Sequence, residues 1–172
     1  MGQQSLFDST EDTLTIAKQI FKENRPNGTT CLCCGRSAQE YRRTMNSGMA
    51  RVLIWMVQGH APGAWVDTRQ GKCPSFVTRC REQSKLAWWG LAETKLRKEG
   101  DGRRAIGMWR PTELGREFVR LQVNVHKYAI EFDSKCERLE GPQITIIDAL
   151  GHKFDYTELM NDTHYKEPKS HE

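Results

Sequence analysis

The stretch Trp109–Val119, WRPTELGREFV, is the most informative part of this chain for its fold. We expect a strand over 105–110 and then a helix over 112–122. Thr112 is predicted to cap that helix, because its hydroxyl can accept a free backbone N–H at a helix start. Gly115 is predicted to allow a close approach to a neighbouring element. The apolar residues expected on this helix are Leu114, Phe118, Val119 and Leu121.

Upstream of this stretch, periodic apolar residues predict further helices. Met49, Val52, Leu53, Met56 and Val57 recur at the spacing of an amphipathic helix over 47–58. We expect Asn46 or Ser47 to cap this helix and Gly59 to end it. Ser75–Glu93 is predicted to be helical, either as two short helices over 75–80 and 83–89 or as one. In both versions Leu86 and Trp89 face inward, and Gly90 ends the helix.

The order of these elements is informative as a whole. A third helix ends in Trp89-Gly90-Leu91, a basic turn follows, and the strand then leads into the WRPTELGREFV stretch. Over residues 47–122 this pattern resembles the winged-helix domain of MarR-like regulators. The resemblance implies a helix-rich α+β fold, with a winged helix-turn-helix and a β-hairpin wing. Residues 46–123 are the predicted winged-helix domain.

The same resemblance implies a DNA-binding surface. The third helix would enter the major groove of double-stranded DNA, and the wing would meet the minor groove or the phosphates. Arginine and lysine suit phosphate contacts, and arginine can also read guanine with two hydrogen bonds. The candidate contact residues are Arg79, Arg81, Ser84, Lys85, Lys98, Arg103 and Arg104.

The charge is unevenly distributed along the chain. Residues 72–128 carry 13 Lys or Arg and 6 Asp or Glu, a net charge of +7, whereas residues 137–172 carry 4 and 8, a net charge of −4. The predicted wing turn, RKEGDGRR over 97–104, has four basic residues and two acidic ones. The basic segment favours nucleic acid as a partner. The acidic end could instead pack on it, within one chain or between two copies of a homodimer.

The cysteines suggest a metal site in front of this domain. Cys31-x-x-Cys34 followed by Gly35 has the form of a zinc knuckle, because two thiolates at this spacing on a tight turn can reach one ion. A structural zinc site needs four ligands, and Cys73 and Cys80 are the candidates for the other two. The sequence leaves four further candidates open, Cys33, His60, His126 and Cys136. The alternative interpretation is a group of reduced, partly buried thiols.

Most of the chain, over 30–160, also resembles a family of uncharacterised bacteriophage proteins. The matching segments are Cys31–Gly35, where Leu32 replaces the proline of a CPxCG motif, and Tyr41–Ala50, Leu86–Val119 and Asp148–Met160. Residues 1–45 are then an N-terminal helix and cysteine knuckle. Residues 124–160 form a small β/α extension with strands at 128–132 and 143–146 and helical residues from 147. Residues 161–172 form a frayed tail.

These observations also exclude some classes of protein. No apolar run approaches the 18 residues of a transmembrane helix, and the first residues lack the pattern of a secretory signal. We therefore expect a cytoplasmic protein, in the host cell if its origin is a phage.

The histidines and cysteines form no nucleophile–base pattern, which argues against an enzyme. The expected function is regulatory binding to double-stranded DNA. The alternative is an adaptor or inhibitor that binds a host protein through the winged-helix surface.

Overall fold

The structure, a computed structural model, describes residues 8–80, 82–96 and 104–162. It is a mixed α+β fold with several small sheets, as the sequence predicts. The chain divides into two compact units, which are described separately below. The first unit combines Met1–Arg43 with Ile130–Arg138, and the second combines Thr44–Ala129 with Leu139–Glu172.

The first unit contains a helix and a short hairpin. Its elements in chain order are helix α1 (Asp8–Asn24), a 3₁₀ helix (Arg25–Asn27), strand β1 (Thr29–Thr30), strand β2 (Ser37–Ala38) and most of strand β3 (Tyr41–Thr44). Strands β1 and β2 pair antiparallel, with Thr29 opposite Ala38. Strand β3 belongs to a three-stranded sheet in the order β3-β7-β8, in which β7 covers Val125–Phe132 and β8 covers Lys135–Ile144.

Glu40 connects distant parts of this first unit. Its carboxylate accepts hydrogen bonds from Arg25 at 2.9 Å and from Arg138 at 2.8 Å. The guanidinium group of Arg25 also lies 4.0 Å from the ring centroid of Phe132. The side chain of Glu40 is only 6% exposed, so these charge-assisted bonds compensate a carboxylate that is largely withdrawn from water.

Helix α2 (Ser47–Gln58) is the centre of the second unit. The Asn46 side chain caps it by accepting from the backbone N–H of Met49 at 3.0 Å, and Gly59 follows its last residue, as predicted. More of the helix is buried than its periodic apolar residues predict. Trp55 is buried as well, and its ring packs edge-on against His60 and Phe76. Its buried residues are Met49, Ala50, Val52, Leu53, Ile54, Trp55 and Met56.

Short elements follow α2 in the second unit. They are strand β4 (Val66–Asp67), helix α3 (Ser75–Cys80), a 3₁₀ helix (Gln83–Trp89), strand β5 (Ala92–Leu96), strand β6 (Arg104–Pro111) and helix α4 (Glu113–Val119). The two-helix version of the prediction for 75–93 is therefore confirmed, with the second helix of the tighter 3₁₀ type. The strands pair antiparallel in the order β4-β6-β5.

The signals that placed α4 are confirmed, except for two leucines. Thr112 caps the helix by accepting from the backbone N–H of Gly115 at 3.1 Å, and Phe118 and Val119 are fully buried. Leu114 and Leu121, however, are 39% and 43% exposed. The helix has only seven residues, and its buried side is taken by Gly115, Phe118 and Val119.

The C-terminal part of the second unit consists of short helices. Strand β8 ends at Ile144, so the strand predicted over 143–146 is in fact the end of a ten-residue strand. Helix α5 (Ile146–Leu150) begins with a capping box of Thr145 and Asp148. A 3₁₀ helix (Gly151–Lys153) and helix α6 (Tyr156–Asn161) complete it. The Tyr156 hydroxyl donates to the backbone carbonyl of Val119 at 2.8 Å, which ties α6 to the end of α4.

In the part of the chain that the structure describes, no helix has both the length and the apolar character needed to cross a membrane.

Candidate functional site

The β4-β6-β5 sheet has one buried face and one outer face. Side chains alternate between faces along a strand, and paired residues share a face. Val66 pairs with Trp109, and both are buried. Glu93 pairs with Arg110 one position further along β6, so this pair lies on the opposite, outer face. Trp65 and Lys95 lie beside this pair, because both Lys95 and Arg110 contact the Trp65 ring.

The outer face carries two cations on one indole ring. The Arg110 guanidinium lies 4.4 Å from the ring centroid of Trp65, and the Lys95 ammonium lies 5.9 Å from it. Cation–π contacts of this kind are worth about 0.5–1 kcal/mol at exposed sites. Arg110 also pairs with Glu93, and its side chain remains 36% exposed. We call the four residues Trp65, Glu93, Lys95 and Arg110 the outer sheet cluster.

Sequence reasoning missed this cluster. Trp65 and Arg110 are far apart in the chain, and only the register of the strands brings them together. Alternation within the predicted strands gives the face of each residue, but it does not give the pairing between strands.

Gly107 of the central strand β6 lies opposite the end of β4, an edge strand of this sheet. Gly107 has φ +76°, and a Cβ atom there would clash with the Arg69 side chain. Its carbonyl accepts from both the backbone N–H and the hydroxyl of Thr68, at 2.8 and 3.0 Å. Arg69 pairs with Asp67, and its hydrogen bonds hold the pKa of that carboxyl below the ordinary value. A second arginine thus lies at this edge, with its charge matched by an acid.

The structure describes three of the predicted DNA-contact side chains, and two of them are engaged locally. Arg79 is exposed and donates to the carbonyl and hydroxyl oxygens of Ser75, at 3.3 and 3.1 Å. The Lys85 ammonium lies 2.8 Å from the Glu82 carboxylate and 5.7 Å from the ring centroid of Trp88. Ser84 is exposed on the 3₁₀ helix.

The remaining predicted contacts are in the wing and beside α3. Arg81, Lys98 and Arg103 lie outside the described residues. The backbone of Arg104 opens β6 and pairs with Leu96 across the hairpin. The basic segment 97–103 lies between β5 and β6 in the sequence and is outside the described residues.

The tryptophan pair divides as expected between core and surface. Trp89 is buried, and its indole N–H donates to the backbone carbonyl of His126 at 2.6 Å. Trp88 is half-exposed beside Lys85. The 3₁₀ helix is thus anchored by Leu86 and Trp89, and Gly90 closes it in the left-handed conformation at φ 70°.

In the first unit, Cys31 and Cys34 lie at the tip of the β1–β2 hairpin. The Cys31 backbone N–H donates to the carbonyl of Arg36 at 2.9 Å, and the Gly35 N–H donates to the carbonyl of Cys31 at 2.8 Å. Gly35 adopts φ +71°, which closes the turn. The backbone N–H groups of Cys34 and Cys33 donate to the Cys31 sulfur and hold the pKa of its thiol below the ordinary value.

The two other predicted ligands belong to the second unit and have different surroundings. Cys73 donates to the carbonyl of Arg69 at 3.3 Å, and burial raises the pKa of its thiol. Burial also raises the pKa of Cys80, whose sulfur packs against Gly48 of α2. Within residues 8–80, 82–96 and 104–162, no group of three or more His, Cys, Asp or Glu residues is arranged to hold a metal ion.

Comparison of this chain with protein-family models, with curated proteins and with solved structures finds no match.

Proposed function

We propose that this chain is a winged-helix protein that binds double-stranded DNA and acts as a regulator. The fold part of the proposal is supported by the second unit. Three helical segments precede a two-stranded hairpin there, and α4 follows directly, which is the order that the resemblance to MarR-like regulators implies. The hairpin β5–β6 is then the wing.

The observation that carries the DNA-binding proposal is the outer sheet cluster. Lys95 of β5 and Arg110 of β6 both contact the indole of Trp65, and the basic segment 97–103 lies between these two strands in the sequence. Cations held over an aromatic ring are pre-positioned, so less side-chain entropy is lost when they meet a phosphate. Its three charged residues, Glu93, Lys95 and Arg110, lie within the segment 72–128 of net charge +7. When lysine and arginine side chains neutralise DNA phosphates, counterions are released from the DNA. This release supplies binding affinity that does not depend on the DNA sequence.

The local ion pairs refine where on this domain the contacts lie. Arg79 and Lys85 already bond to Ser75 and Glu82, so a phosphate has to compete with these partners. Lys95 has no carboxylate within ion-pair distance among the described residues. The charge of Lys95 on the hairpin is therefore not matched by a described carboxylate, whereas the charge of Lys85 on the 3₁₀ helix is matched by Glu82.

The test is fluorescence anisotropy of a labelled duplex with the full chain and two lysine variants. Lys95→Gln removes a cation from the outer sheet cluster and is expected to weaken binding about threefold to tenfold, since one phosphate contact is lost. Lys153→Gln removes an equally exposed cation from the acidic C-terminal segment and should leave binding almost unchanged. Equal behaviour of the two variants would count against the wing as the DNA-binding surface.

The second candidate is an adaptor that binds a host protein. It is favoured by the exposed leucines Leu114 and Leu121, which flank the end of the same domain. Exposed large apolar side chains are available for contact with a protein partner. Leu114→Asp would then abolish partner binding, whereas Lys95→Gln would leave partner binding unchanged.

A further inference from the structure

The tip of the β1–β2 hairpin carries two cysteines, Cys31 and Cys34, at CxxC spacing. We propose that Cys31 and Cys34 bind one zinc ion together with the same two cysteines of a second copy of this chain, so that the ion bridges a homodimer. The inference is independent of DNA binding, because it uses only residues of the first unit.

The local backbone is already shaped for a metal. Cys31 and Cys34 are joined by a turn that two backbone hydrogen bonds close, and Gly35 supplies the left-handed conformation that this turn needs. The two cysteines are three residues apart on this turn, the spacing at which both sulfurs can reach one ion.

The other cysteines of the described chain have local contacts of their own. Cys136 is half-buried on β8 and its thiol donates to the carbonyl of Arg138 at 3.5 Å. The Cys73 thiol donates to the carbonyl of Arg69, and the Cys80 sulfur lies close to Gly48. Within the described residues no group of three or more His, Cys, Asp or Glu is arranged to hold a metal ion. A structural zinc site takes four ligands, so we assign the other two positions to a second copy.

The surroundings of the two cysteines favour a second copy as the source of those ligands. Cys34 is exposed at a hairpin tip, where two chains can approach without steric hindrance. Leu32, between the two ligands, is 71% exposed, and a shared ion would bring the two Leu32 side chains together and remove them from water. Four thiolates and one Zn²⁺ leave a net charge of −2, which the two exposed Arg36 side chains balance.

The experiment measures zinc content and molar mass together. The reduced full chain is loaded with zinc and passed through size-exclusion chromatography with light scattering, in a buffer with a non-chelating reductant. We expect about one zinc ion per two chains and a dimer that becomes a monomer when a chelator is added. Substitution of Co²⁺ for zinc should give the visible absorption of a tetrahedral thiolate site.

Cysteine variants locate the ligands. Cys34→Ser is expected to lose both the metal and the dimer, since one ligand of each copy is removed. Cys33→Ser is the matched control: it keeps the backbone N–H that donates to Cys31 and should retain zinc and dimer. Cys80→Ser removes a thiol of the second unit and should also retain both. Far-UV circular dichroism of the metal-free variants checks that each one folds.

Three results would overturn the proposal. One zinc ion per chain on a monomer would mean that a single chain supplies all four ligands. Loss of zinc from Cys80→Ser would place the site elsewhere. If the reduced chain takes up no zinc, Cys31 and Cys34 are not zinc ligands.

Discussion

The backbone carbonyl oxygen of Leu91 occupies the space that a side chain at position 115 would need. A Cβ atom built on Gly115 would lie 2.1 Å from that oxygen, far inside any real contact. The same region is tied by Thr112, whose backbone N–H donates to Leu91 and whose hydroxyl donates to the carbonyl of Gly90 at 2.6 Å. Residues Gly90 and Leu91, which follow the 3₁₀ helix, are therefore fixed against the first residues of α4.

Gly115→Ala should destabilise the second unit by about 1–3 kcal/mol, because backbone on both sides of the contact must move to admit one methyl group. Thermal unfolding followed by circular dichroism would show a lower Tm. Glu117→Ala in the same helix is the control, and it should change stability by less than about 0.5 kcal/mol. A Gly115→Ala variant as stable as the wild type would mean that the Leu91 carbonyl oxygen leaves room for a methyl group at position 115.

Thr112→Ala should cost about 1–2 kcal/mol, because the hydroxyl both caps α4 and bonds to Gly90. Thr112→Ser keeps the hydroxyl and is expected to recover most of this loss. Chemical denaturation at several urea concentrations would measure both variants. If serine and alanine were equally destabilising, the lost methyl group and not the cap would explain the effect.

The Glu40 carboxylate predicts a dependence of stability on pH. The hydrogen bonds from Arg138 and Arg25 hold the pKa of Glu40 below its ordinary value of 4.5 in the folded chain. A lowered folded-state pKa adds stability that is complete above the ordinary pKa and is lost as the pH falls through the folded-state value. Glu40→Gln should therefore lower the Tm at neutral pH and much less in acid.

The control for this series is Glu23→Gln, an exposed glutamate of the same unit, which should leave the Tm unchanged at either pH. A constant difference between wild type and Glu40→Gln from pH 7 to about pH 3 would contradict the ionic origin of the effect.

Charge reversal in the wing turn separates the two functional hypotheses. Arg103→Glu combined with Arg104→Glu changes the local charge by four units and should abolish detectable binding to a labelled duplex at moderate salt. Under the adaptor hypothesis the chain makes no DNA contact, so these substitutions should not change its affinity for the duplex. Reversal of Lys18 and Lys22, in α1 of the first unit, is the matched control and should be much milder.

Local signals allowed much of the fold to be predicted. The cap residues Asn46 and Thr112, the terminal glycine Gly90 and the close approach at Gly115 each depend on one residue and its backbone neighbours. Helix α2 was predicted with its observed bounds, because its apolar spacing persists over three turns.

Features that depend on pairing could not be predicted in this way. Strand β8 is exposed or half-exposed along most of its length, so it lacks the alternation that marks a strand. The turn before it uses Asp133 and Ser134 at φ 49° and 60°, without the glycine that usually signals a tight hairpin. The outer sheet cluster likewise depends on the register between β5 and β6.

The most direct test of the central claim is the salt dependence of wild-type binding to a generic labelled duplex. About five or six phosphate contacts from the wing and the outer sheet cluster predict that log K falls against log salt with a slope near −5. Lys95→Gln should make that slope shallower by about 1. No binding at the lowest salt, or binding that does not change with salt, would contradict the account.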